Sequence, residues 1–159
     1  MARRLLTATL AALLPLAAPL SALGDDASAG VAPAPVSSGH QGGWQGIGHM
    51  LVLTQRGSAK SSPPMRPFAP LPAGVRVTSV NWRIDTGRPL PSHASLSLCM
   101  PGKCVDLDGL SGRSDAFAGQ PADNPVTLVI QVAGRGTLSP PPVLNRFQVL
   151  VNYQGEFKR

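Results

Sequence analysis

From residue 50 onward, apolar and polar residues mostly alternate one by one, the period of half-buried strands rather than of helices. Met50-Leu51-Val52-Leu53-Thr54 reads as a first strand. Val75–Asp85 is the clearest run: Val80, Trp82 and Ile84 are expected to point inward, Asn81 and Arg83 outward. After a Thr86-Gly87-Arg88-Pro89 turn, Ala94, Leu96 and Leu98 alternate with Ser95, Ser97 and Cys99, and Lys103–Leu107 returns beside them. Val126–Val132 is a further strand. Thr137-Leu138 can add a short one before Pro140-Pro141-Pro142, and Phe147, Val149, Val151 and Tyr153 mark the last. Two stretches stand apart. Gly57–Gly74 holds five prolines, so it is neither helix nor central strand and must be an extended edge or a functional loop. Residues 109–124 read as a polar loop around a lone Phe117, expected to plug one end of the fold or to serve as an exposed contact. No window supports a long amphipathic helix. The pattern predicts an all-β fold, an antiparallel β-sandwich or small barrel of about six to eight short strands.

One hairpin carries extra information. With Pro101-Gly102 as its turn, Cys99 faces Cys104 at a non-hydrogen-bonded pair, where side chains approach most closely. A cross-strand disulfide there would contribute about 2 kcal/mol by loop-closure entropy. Pro-Gly favours a type II turn, whose twist suits a two-residue hairpin poorly, which argues for a wider loop. The C-x4-C spacing in a strand context favours a structural bridge over C-x-x-C redox chemistry.

A bridge implies an oxidising compartment, and the N-terminus agrees. Arg3-Arg4, an apolar run to about Leu20 and the small residues before Asp25 form a secretory signal peptide, residues 1–24. Pro15 and Pro19 interrupt that run, and no later stretch is long and apolar enough to span a bilayer, so no stable membrane insertion is expected. Residues 25–42, rich in Ala, Gly, Pro and Ser, read as a disordered leader. The β-domain is expected over 43–154 and a flexible tail over 155–159. Without the signal, 12 basic residues stand against 8 acids, so the formal charge falls from +6 to +4. The bases are scattered and only 4% of residues are aromatic, which speaks against nucleic acid.

The chemistry-bearing residues form no strong constellation. Asp106-Leu107-Asp108-Gly109 opens like a calcium loop, but Leu110 stands where an oxygen ligand is required and no Glu closes it. Gly109-Leu110-Ser111-Gly112 misses the spacing of a nucleophile elbow. His40, His49 and His93 lack zinc-ligand spacing. Asp106, Asp108, Asp115 and Asp123 are a poor basis for a paired-carboxylate hydrolase. Neither a catalytic residue, a metal nor a cofactor is expected. Partner-binding candidates are Trp44, Arg83 and Phe117. Trp44 also permits an alternative, a carbohydrate- or cell-wall-binding module with the indole as a stacking platform.

Several segments together resemble the FlhE family of flagellar proteins: Gly43-Trp44-Gln45, Arg56-Gly57 with Ser61-Ser62-Pro63, Val80-Asn81-Trp82-Arg83, the Leu98-Cys99 to Cys104-Val105 hairpin with Leu107–Gly112, and Gln148–Tyr153. The resemblance spans roughly 43–153. It implies a small, non-enzymatic periplasmic protein whose partners are flagellar export or rod and hook proteins. Its expected role is to restrain proton leakage through the export apparatus or to keep flagella from assembling in the periplasm. It brings no catalytic residues.

Overall fold

The computed structural model describes residues 39–155. Residues 1–38, which cover the expected signal peptide and most of the expected leader, and residues 156–159 lie outside the described residues. Eight strands are present: β1 (His40–Val52), β2 (Ala59–Ser61), β3 (Arg76–Asp85), β4 (Ala94–Met100), β5 (Lys103–Asp106), β6 (Ser111–Ser114), β7 (Thr127–Val132) and β8 (Val143–Gly155). They form two four-stranded antiparallel sheets, ordered β1-β8-β3-β6 and β2-β7-β4-β5. The two sheets enclose one apolar core as an open sandwich; no barrel closes.

The alternation of β3 is as expected at its C-terminal half: Val80, Trp82 and Ile84 are buried, Arg83 exposed. Its N-terminal end has the opposite parity, with Val77, and Val75 just before the strand, buried. A bulge between Val77 and Ser79 reconciles them, because one extra residue exchanges the faces of everything beyond it. β1 and β8 change parity together. Trp44 and Gly46 point inward before Met50, Leu51 and Leu53 after it; opposite them, Phe147, Val149 and Val151 point inward and so does Leu144. Met50 sits at the switch with φ +54°, and the register of the two strands is the same on both sides.

β1 begins at His40, ten residues before the Met50–Thr54 run and inside the segment read as leader. Its glycines conceal it. Gly42 and Gly48 pair across the ladder with Tyr153 and Phe147, and Gly112 of β6 pairs with Trp82. In each case the aromatic ring lies over the glycine: a Cβ on Gly48 would fall 2.0 Å from a Phe147 ring carbon, and one on Gly112 would fall 2.5 Å from the Trp82 ring. Such pairs bury the ring and shield the glycine backbone. β6 lies within the stretch 109–124, whose composition predicts a loop. Its four residues are polar or glycine, so no alternation was visible; pairing with β3 makes it a strand.

The Pro-rich segment is an edge. β2 pairs with β7 along the outside of the second sheet, and Met65 continues the contact by a two-way backbone bridge to Val126. Ser62 is buried there and satisfied: its Oγ accepts from Leu128 N–H at 3.0 Å and donates to Pro63 C=O at 2.9 Å. Met65 then packs against Gly46 of β1, closing that side of the core.

The disulfide joins Cys99 and Cys104, paired residues of β4 and β5 with Cα atoms 4.0 Å apart. Met100 faces Lys103, so the loop is the two-residue Pro101-Gly102 turn rather than a wider one. Gly102 takes φ +79°, the left-handed conformation a type II turn demands at that place.

Candidate functional site

The three sequence candidates part company. Phe117 is 1% exposed and belongs to the core, so its ring is not an exposed contact. Trp44 is 7% exposed, its Nε1 donating to the Ala122 carbonyl at 2.7 Å, so neither ring face is free for stacking on a sugar. Trp82, 8% exposed, donates to the Gly109 carbonyl at 3.1 Å. The wall-polymer platform therefore has no exposed tryptophan to stand on. Arg83 alone of the three is exposed, on the outer face of the first sheet.

That face can be read row by row, because the ladders fix which residues are neighbours. One row runs Ile47, Gln148, Arg83, Ser111 across β1, β8, β3 and β6; the next runs Gln45, Leu150, Asn81, Arg113. Strands lie about 4.8 Å apart, so each row spans roughly 14 Å. Its β1–β8 half carries two large exposed apolar side chains, Ile47 at 45% and Leu150 at 40% exposure. Its β3–β6 half carries Arg83 and Arg113, diagonal neighbours with Cβ atoms about 7–8 Å apart. A third guanidinium, Arg146, lies beyond Gln148, whose side-chain oxygen, turned toward it, accepts from Nη2 at 2.8 Å and Nε at 3.1 Å. Asp85, opposite Arg146, already accepts from Gly87 N–H at 3.0 Å.

β1 offers a second feature. It is an edge strand of 13 residues, His40–Val52, without a Lys, Arg, Asp, Glu or Pro. The other three edges each carry such a guard: Lys60 in β2, Lys103 and Asp106 in β5, Arg113 in β6. Charges and prolines are what keep edges from pairing with other chains. Among the described residues, no backbone hydrogen bond leaves the free side of β1 between Gln41 and His49.

The chemistry elsewhere is sparse. Asp106, Asp108, Asp115 and Asp123 are all exposed, and Asp106 accepts from Ser97 Oγ at 2.7 Å. Among the described residues no three His, Cys, Asp or Glu side chains lie close enough to hold a metal ion. Among the described residues no helix is long and apolar enough to cross a membrane. One groove, about 730 Å³, runs along Arg66–Arg76 with Pro121 and Asp123, and another of about 640 Å³ lies between the Thr86–Pro91 turn and Pro140–Pro142.

The family profile described as Flagellar protein FlhE matches residues 50–154. The chain belongs to the FlhE family. Flagellar protein FlhE of Salmonella typhimurium is 38% identical over 122 residues, covering 77% of this chain and 92% of that protein. That of Escherichia coli is 36% identical over the same coverage, and that of Yersinia enterocolitica 31% identical over 76% and 86%. A solved structure titled "Crystal Structure of FLHE" superposes with a TM-score of 0.67 at 39% identity, covering 71% of this chain and 96% of that one. This FlhE-family chain is thus a flagellar accessory protein, and its relatives carry the name of no enzyme family.

Proposed function

We propose that this chain works in the periplasm, without catalysis, by regulating or chaperoning the flagellar type III export apparatus through direct protein contact. Its effect is to limit proton leak or the formation of flagella in the periplasm. The observation that carries the reading is FlhE-family membership over nearly the whole described domain. Two features support it. The Cys99–Cys104 bridge suits an oxidising compartment. The unguarded β1 edge is a template on which an extended segment of an export, rod or hook protein can add a strand.

The test is deletion of the gene followed by measurement of motility, periplasmic filaments and cytoplasmic pH. At least one should change and be restored by the wild-type gene. Restoration should weaken with Gly43→Pro, which places a proline on the outward-facing row of the β1 edge. Three unchanged measurements in the deletion strain would refute the reading.

A further inference from the structure

The outer face of the first sheet is charged on one half and apolar on the other. The side chains of Arg83 and Arg113 make no hydrogen bond or ion pair among the described residues. Two long cationic side chains are held on adjacent strands without a counter-charge, while the one carboxylate of the neighbouring row, Asp85, is engaged with backbone. Leu150 is a diagonal neighbour of Arg83, and Ile47 a diagonal neighbour of Leu150, so the apolar and cationic halves abut. The rest of both rows is Gln, Asn and Ser, groups that satisfy a flat polar rim.

We propose that this face docks an acidic protein segment: two carboxylates meet Arg83 and Arg113, and an apolar side chain of the same segment settles on Leu150 and Ile47. Charge complementarity selects the occupant. The same face of a second copy would bring no free carboxylate to the arginines, since Asp85 is engaged with Gly87 N–H, and nucleic acid would leave Leu150 and Ile47 buried against nothing apolar. Guanidinium is the group suited to bidentate carboxylate contacts, and exposed apolar residues ringed by polar ones are the usual anchor of such surfaces. The proposal rests on the reading that the chain acts by protein contact, and it adds the face and the chemistry of the partner.

The experiment places a photo-crosslinking residue at Ile47 or Ser111, with Gln131 on the outer face of the other sheet as control, in the full chain exported by its own cells. Crosslinked peptides are identified by mass spectrometry. The expected result is capture from positions 47 and 111 of a segment with net negative charge. The yield should fall at least tenfold in Arg83→Glu/Arg113→Glu and recover in Arg83→Lys/Arg113→Lys. Arg83→Gln/Arg113→Gln repeats the test without reversing charge, and urea midpoints matching wild type certify the fold of each variant. Equal capture from Gln131, a neutral or basic captured segment, no capture, or a yield indifferent to the arginines would each overturn the proposal. So would flotation with phosphatidylethanolamine–phosphatidylglycerol vesicles that disappears in the Glu variant, which would assign the face to lipid. Full complementation by the Glu variant in a strain whose deletion has a phenotype would remove this surface while leaving the flagellar reading intact.

Discussion

Replacing Gly48 by alanine tests the packing on which β1 depends. The new methyl would start 2.0 and 2.1 Å from two ring carbons of Phe147 and 2.9 Å from a third. Phe147 is 1% exposed, held between the sheets beside Val149 and Val151, so the ring cannot yield without displacing core neighbours. Overpacking of this kind costs about 1–3 kcal/mol. Alanine returns about 0.5–1 kcal/mol, because glycine in a strand loses more backbone entropy on folding. The net expectation is a loss of about 1–2 kcal/mol in urea unfolding followed by tryptophan fluorescence. Gly43→Ala is the milder comparison: its Cβ points outward and would approach the Asn152 side-chain oxygen and the Val151 carbonyl at 3.3 Å, so a smaller loss than at Gly48 is expected. Phe147→Leu makes room for the methyl. The double variant Gly48→Ala/Phe147→Leu should therefore be about 1–2 kcal/mol more stable than the two single losses added together. A Gly48→Ala protein as stable as Gly43→Ala, or strict additivity with Phe147→Leu, would refute the claim that the ring occupies the glycine's missing side chain.

Other consequences can be checked on the same footing. Cys99→Ser/Cys104→Ser should keep the β-rich circular dichroism spectrum and lose about 2 kcal/mol by urea titration, matching the wild type under reductant; loss of the fold would show that the bridge does more than staple one hairpin. Trp44→Phe removes the donor to the Ala122 carbonyl and should cost about 1–3 kcal/mol in the same assay. Peptidoglycan pull-down should be no different for that variant, since the indole is buried. Phe68→Ala, at a side chain the fold leaves fully in solvent, should stay within about 0.5 kcal/mol of wild type by thermal melts.

The strands that could be read from the chain are those whose two faces meet different solvents. β3, β4, β7 and the end of β8 each carry several large apolar residues on one face, so their period shows without knowledge of the partner. The cross-strand position of Cys99 and Cys104 was legible too, because a two-residue turn fixes which residues face each other. β6 and the first half of β1 were not legible. Apart from Trp44, their inward positions are mostly glycines, which show no apolar period until another strand lays a large side chain on them. The parity change in β3 was hidden for a related reason, since a bulge is defined by the ladder it interrupts. In isolation Trp44 and Phe117 permit either a contact or an interior role; the fold buries both, Trp44 with its Nε1 on the Ala122 carbonyl.

Local sequence, then, determined that this is an all-β domain with one pinned hairpin, because alternation, turn chemistry and cysteine spacing act over a few residues. Which residues share a surface was decided only by the fold. Ile47, Arg83, Arg113 and Leu150 are separated by dozens of residues along the chain and become neighbours solely through the pairing of β1, β8, β3 and β6. Long-range ladders set that adjacency, and nothing in any one segment encodes it.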